Sequence, residues 1–342
     1  MRHSTDSQPG YARHAWKGSI GYVASDGRPI DDKATVERIR SLAIPPAWTD
    51  VWICADPWGH LQATGRDARQ RKQYRYHPLY RARRDRSKFD RMLVFGSRMP
   101  RIRRVVDGDL ARSGLPHEKV VALVVRLLEL TAMRVGNEEY ARTNRTFGLT
   151  TLRSRHVTID ATGLRFRFKG KGGRTHTMRV RDRRLAGIVR RCQGLPGQQL
   201  FEYVDAAGSV RAVHSDDVND YLRRAAGVEV TAKDFRTWYA TVLSLRALRA
   251  AEPPSGVGHA RSQVARAMEA VAGQLGNTPT VCRSSYVHPG VIDAYLDLEL
   301  TKPRRPSQAL EGPPALGEER ALLRLLRRSQ RRAPACPDGG VP

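Results

Sequence analysis

Apolar residues recur at helical spacing through much of the chain. Over residues 117–135, Val120, Val121, Leu123, Val124, Leu127, Leu128, Leu130 and Met133 cover most of a helical circumference. That pattern predicts a helix buried on nearly every side, at the centre of a domain, with Gly136 as its stop. Phe89, Leu93, Met99, Ile102 and Val106 predict a helix beginning near Lys88. Leu185, Ile188 and Val189 place a basic helix over residues 181–192. Ser215 with Asp216 and Asp217, and Thr231 with Asp234, supply caps and first-turn acids for two more helices, the second reaching Ala250. Val264, Met268, Val271 and Leu275 mark a helix over 259–275 that Gly276 stops, and Pro279 is expected to delay resumption by a turn. A last helix is expected over 290–300, with a short basic one over 318–332.

Two stretches follow other rules. Between residues 20 and 80 the turns are dense (Asp26-Gly27, Pro45-Pro46, Asp56-Pro57-Trp58-Gly59), and short apolar runs at 51–54 and 61–64 lie between them. Only residues 32–42, through Val36, Ile39 and Leu42, have helical spacing there, which predicts a small β-rich domain with one helix. Residues 151–180 switch to period two: 156–159 is one strand, 164–169 alternates cleanly, and 174–180 pairs back through the hairpin Gly170-Lys171-Gly172-Gly173. The expected fold class is α+β: a β-rich domain over 1–87 and a larger, mainly helical domain with a β-hairpin over 88–302. Residues 81–88 would be a charged connector and hinge, 1–10 unstructured, and 303–342 a Pro-rich linker and basic tail that adds affinity and little else.

Charge changes the picture. Sixty Lys and Arg against 34 Asp and Glu in 342 residues give +26, a self-repulsion that a polyanion relieves, so nucleic acid is the first partner to consider. No apolar run approaches about 18 residues and no basic amphipathic helix carries a bulky aromatic face, so a membrane partner is not expected. The four cysteines are scattered without metal-ligand spacing, and are expected to be free thiols in a reducing, cytoplasmic setting. No pair of acids has the spacing of a two-metal site, and no metal or cofactor is expected.

Several residues then stand out. In 65–77, Arg66, Arg71 and Lys72 alternate with Gln73, Tyr74 and Tyr76; this is either a solvated basic loop or a groove contact that neutralises phosphate and reads base edges. Arg134, at the end of the buried helix, is either half of an ion pair with Glu138 or Glu139, or part of an anion site. Lys171 at a glycine-rich tip is either a solvated turn lysine or a proton donor delivered to another element. Arg236 lies between Phe235 and Trp238, where it either stacks on the indole or aims its fork at a phosphate. Asn277 directly follows the Gly276 stop, and Tyr286, nine residues later, is either a core aromatic or a nucleophile toward a phosphodiester.

Taken together, these motifs resemble the type IB DNA topoisomerases of the poxvirus and bacterial kind over nearly the whole chain, and more loosely the tyrosine recombinases. The resemblance rests on Gly65-Arg66-Asp67 through Gln73-Tyr74-Arg75-Tyr76, Arg134-Val135-Gly136-Asn137, Phe168-Lys169-Gly170-Lys171, Lys233-Asp234-Phe235-Arg236-Thr237-Trp238, and Gly276-Asn277-Thr278-Pro279 with Tyr286, all in the family's order. It implies Tyr286 as the nucleophile forming a 3′-phosphotyrosyl link, Arg134 and Arg236 as phosphate clamps, and Lys171 as general acid. Asn277 would occupy a position that many relatives fill with histidine, bonding a non-bridging oxygen without any acid-base role. The implied activity is relaxation of supercoils of either sign without ATP or metal, by a monomer that needs no protein partner and closes on duplex DNA as a two-lobed clamp at the nucleoid. Gln73, Tyr74 and Tyr76 would enter the major groove. The alternatives are a recombinase using the same cleavage step, and a non-catalytic architectural DNA binder.

Overall fold

A computed structural model describes residues 1–16, 19–300 and 312–332, and the chain divides into two units, Met1–Lys88 and Phe89–Pro342, each described by itself. The first holds β1 (Gly10–Trp16), β2 (Ser19–Val23), α1 (Lys33–Ser41), β3 (Thr49–Cys54), β4 (Leu61–Arg66) and β5 (Lys72–Tyr76). The strands form one antiparallel sheet in the order β2-β1-β3-β4-β5. Ile39 of α1 packs against Val51, Ile53 and Ala63 to make a small core, and Asp32 caps α1 by accepting from the Thr35 N–H at 2.8 Å. The β-rich region with one helix is as the punctuation predicted.

Its N-terminus is not. Residues 1–10, expected to be unstructured, are tied to the sheet by polar contacts. Ser4 is only 4% exposed; its hydroxyl donates to the Leu61 carbonyl and accepts from the Leu61 N–H, both at 3.0 Å. Asp6 accepts from Thr64 at 3.0 Å and pairs with Lys72. Such anchoring leaves no apolar period to detect.

α2 (Pro78–Ala111) runs across the unit boundary, so the expected connector at 81–88 is helical. Arg and Lys are good helix formers, and a charge run need not be a loop. Met92, Phe95, Met99, Ile102, Val106 and Leu110 form its buried line. α3 (His117–Thr131) is the buried central helix, but it stops at Ala132 in the left-handed region (φ 50°), four residues before Gly136. α4 (Glu138–Asn144) follows. β6 (Val157–Asp160), β7 (Gly163–Lys169) and β8 (Thr175–Val180) form an antiparallel sheet in that order, and the β7–β8 tip is one turn, Lys171–Gly173.

Then come α5 (Arg183–Gln193), β9 (Glu202–Val204), β10 (Val210–Ala212), α6 (Ser215–Ala226), α7 (Ala232–Ala250), α8 (Val257–Leu275), α9 (Pro279–Ser285), α10 (Pro289–Leu296) and α11 (Leu316–Arg332). Pro279 starts α9 instead of delaying it: it sits in the first turn, where its missing N–H costs nothing, and the Thr278 hydroxyl caps the Val281 N–H. α11 also departs from expectation. Ala321, Leu322, Leu325 and Leu326 are buried in the core of the second unit. Glu319 accepts two bonds from Arg103 at 2.8 Å and one from the Trp238 indole at 3.0 Å, and Glu318 takes the fork of Arg246. The rest of the proposed linker and tail, 303–311 and 333–342, lies outside the described residues.

Candidate active site

Three chain reversals in the second unit converge. The first follows α3. Beyond Ala132 the backbone around Arg134 is pinned to the segment 148–150: the Leu149 N–H donates to the Arg134 carbonyl at 2.9 Å, and the Thr150 N–H to the Val135 carbonyl at 2.7 Å. Gly136 (φ 116°) and Gly148 make the crossing possible, since a Cβ on Gly148 would lie 2.6 Å from Gly136 Cα. The second reversal is the αL stop of α8 at Gly276 (φ 62°), which projects Asn277. The third is the end of α9, where Tyr286 is the cap residue. The Thr241 hydroxyl of α7 donates to the Tyr286 carbonyl at 3.0 Å and fixes that backbone.

Arg236, in the first turns of α7, ties these reversals together. It is 4% exposed. One terminal nitrogen donates to the Ala132 carbonyl at the end of α3, and the other to the Leu275 carbonyl at the end of α8 at 3.0 Å. Helix C-termini leave such carbonyls unsatisfied and slightly negative, so one fork serves two of them. The Arg236 guanidinium lies 5.2 Å from the centre of the Tyr286 ring. It does not stack on Trp238, which turns to Glu319 and to the surface opened by Gly96 of α2.

Arg134 donates to the Asn277 side-chain carbonyl at 2.7 Å. Glu138, one of its suggested ion-pair partners, is bonded to His214 instead. The anion-site alternative for Arg134 therefore has the better support. Two buried donors here have no partner among the described residues: the Arg236 Nε and the Asn277 side-chain nitrogen. A buried donor without an acceptor costs about 1–3 kcal/mol, which an incoming oxygen would recover.

Electrostatics follow from this packing. Burial and the neighbouring Arg134 lower the Arg236 pKa to about 10, so it remains a cation at neutral pH. Burial would push the Tyr286 phenol up, but the positive charges of Arg236, Arg134 and Lys233 outweigh it and hold the phenol below its ordinary value. The cluster can thus receive an anion and favour a phenolate beside it. Among the described residues no group of three or more His, Cys, Asp or Glu is placed to hold a metal.

Lys171 stands apart at the exposed β7–β8 tip. The strand ends next to the tip do reach the site: Arg174 donates to the Asn277 backbone carbonyl at 3.3 Å, and His176 packs beside Gly276. Sequence reasoning passed over His176, Lys233 and Thr241. Only Lys233 had a signal there, its place in the motif that contains Arg236.

The groove-contact residues lie in the first unit, on β4, β5 and the turn between them. Strand alternation puts Lys72, Tyr74 and Tyr76 on one face and Gln73 on the other, bonded to Asp67 at 3.0 Å, so Gln73 does not share the tyrosines' surface. Tyr74 and Tyr76 are 48% and 38% exposed and stack with ring centres 6.1 Å apart. Arg66 pairs with Asp50 at 3.3 Å, Arg71 with Asp67 at 2.6 Å and Lys72 with Asp6.

Comparison with known proteins covers both units. The family model "Eukaryotic DNA topoisomerase I, catalytic core" matches residues 73–302, and "Bacterial DNA topoisomerase IB, N-terminal domain" matches 20–67. DNA topoisomerase 1B of Acanthamoeba polyphaga mimivirus is 32% identical over 283 residues, spanning 81% of this chain and 84% of the relative. DNA topoisomerase 1B of Vaccinia virus (strain Copenhagen) is 23% identical over 275 residues, spanning 78% and 84%.

Proposed function

Since this chain belongs to the type IB DNA topoisomerases, we propose that it relaxes supercoiled DNA with Tyr286 as nucleophile, Arg236, Arg134 and Asn277 as the phosphate cradle, and Lys171 as general acid. The observation that carries the residue assignment is the convergence of one phenol, two guanidiniums and one amide, with two buried donors left unpartnered.

In this reading the phenol oxygen attacks the phosphorus, the new ester joins Tyr286 to the 3′ strand end, and the bond from phosphorus to the 5′ oxygen breaks. The phenol proton passes to solvent, helped by the cations that already favour its loss. Charge grows on the non-bridging oxygens, where the Arg236 Nε and the Asn277 amide supply preoriented hydrogen bonds; such a donor is worth from about tenfold to about 10³ in rate. The departing 5′ oxygen is a poor leaving group, and Lys171 protonates it as it goes. Because the phosphotyrosyl ester keeps the energy of the broken bond, religation is the same path reversed and needs no ATP. Between the steps the free 5′ end rotates and supercoils of either sign are lost.

We further propose that the enzyme acts as a monomer, without an obligate protein partner, among chromosomal DNA in the cytoplasm. Its two units would close as a clamp on the duplex, with Tyr74 and Tyr76 against the major groove and Arg66, Arg71 and Lys72 exchanging their aspartates for phosphates. The test is plasmid relaxation in EDTA without ATP, by wild type and Tyr286→Phe. Wild type is expected to relax both signs and to leave a covalent protein–DNA adduct on denaturation, and Tyr286→Phe to do neither. Relaxation by the phenylalanine form would remove Tyr286 from its role.

A further inference from the structure

We propose that His176 is a positioning residue: its imidazole is a spacer that sets the distance between the Lys171 hairpin and the Asn277 turn, and so the place where Lys171 delivers its proton. The inference rests on the general-acid reading of Lys171. The tip that carries Lys171 has little stiffness of its own. Gly172 and Gly173 both take positive φ, 78° and 75°, a region glycine enters without cost. Lys171 itself is exposed. Whatever aims it must act where the tip joins the strands.

There His176 of β8 lies opposite Phe168 of β7, and the two rings stack with centres 5.5 Å apart and planes 20° from parallel. The free edge of the imidazole touches two backbones from different elements. A Cβ on Gly170, just before Lys171, would overlap the ring and sit 2.6 Å from its Nε2. A Cβ on Gly276, just before Asn277, would overlap the neighbouring Cε1 and sit 3.1 Å from the same Nε2. Two glycines thus admit one ring edge between the segment that carries the acid and the segment that carries the cradle. Arg174, beyond the tip, adds a second strap to the Asn277 carbonyl at 3.3 Å. Removing the ring leaves the strap but opens the gap, and displacement of a catalytic group by about 1 Å costs about a hundredfold.

The experiment measures single-turnover cleavage of two duplexes, one with the natural oxygen at the scissile 5′ position and one with sulfur there. A thiolate departs without a proton, because its pKa is far lower than that of an alcohol. His176→Ala is expected to slow cleavage of the oxygen substrate about 10- to 100-fold and to cleave the sulfur substrate near the wild-type rate, as Lys171→Ala should. His176→Phe, which keeps a flat ring in the slot, should stay within a few-fold of wild type on both.

Equal slowing of His176→Ala on the two substrates, while Lys171→Ala is rescued by sulfur, would overturn the spacer and leave the general acid standing. A Lys171→Ala defect that sulfur does not relieve would overturn the acid and the spacer together. Gly170→Ala gives an independent check: its backbone (φ −97°) accepts alanine, and the added methyl pushes the ring from the hairpin side. It too must slow only the oxygen substrate, and equal slowing on both would count against the proposal.

Discussion

Two regions of this chain gather cations, and they hold them differently. On the β4–β5 hairpin Arg66, Arg71 and Lys72 are exposed, and each faces an aspartate: Asp50, Asp67 and Asp6. Around Tyr286, Arg236 is buried on two helix-end carbonyls and Arg134 leans on the neutral amide of Asn277. An exposed ion pair contributes about 0–1 kcal/mol and gives way easily to another anion. A guanidinium held by neutral oxygens keeps its whole charge directed at the site, where water is scarce and the charge acts more strongly. In the proposed reading the hairpin captures and releases DNA, and the cluster carries the catalysis.

The largest expected effect is at Arg236. Arg236→Ala should lower single-turnover cleavage by at least about 10²–10³, with DNA affinity far less affected. Arg236→Lys should not restore the rate, because one ammonium cannot replace a fork that holds two helix ends; full recovery in the lysine form would show that position does not matter here. Asn277→Ala should slow cleavage about tenfold, the value of one lost hydrogen bond. Asn277→His should stay near wild type, since a neutral imidazole also accepts on one nitrogen and donates from the other. Wild-type relaxation by the alanine form would make the amide contact irrelevant.

At the hairpin the effect moves from rate to binding. Arg71→Ala and Lys72→Ala should leave cleavage of fully bound DNA within a few-fold of wild type, while each lowers the slope of log affinity against log salt by about 0.9 or less. A large loss of cleavage rate with an unchanged slope would reverse the roles given to the two regions. The smallest signal is spectroscopic. The ultraviolet titration of wild type minus Tyr286→Phe should show a phenol ionising below the usual value of about 10. In Arg236→Ala that ionisation should move upward, because burial remains and the largest opposing charge is gone; no movement would mean that the phenol is not tuned by its neighbour.

The reach of the sequence can be judged residue by residue. α3, α8 and the β7–β8 hairpin were legible because each repeats its own period over a dozen or so positions, α7 because Thr231 and Asp234 mark its start, and Gly276 announced a real helix end. The extension of α2 back to Pro78, the start of α9 at Pro279 and the docking of α11 were not. Charge hid the first and a proline suggested a break at the second. The third depends on Glu319 meeting Arg103 and Trp238, which the local pattern does not encode.

The chain's own residues supplied the groups to which we assign the chemistry: a phenol, two guanidiniums, an amide and a lysine at a glycine tip, in an order that resembles the family's. Whether Arg134 would spend its charge on Glu138 or keep it for a ligand was decided only by folding, which brought it to Asn277, 143 residues away. The seat of Arg236 between two helix ends and the fit of His176 between two glycines were decided in the same way. Periodicity and caps are short-range and leave their mark in neighbouring positions. A site is made of contacts between distant segments, and their spacing is set by the packing of the whole unit.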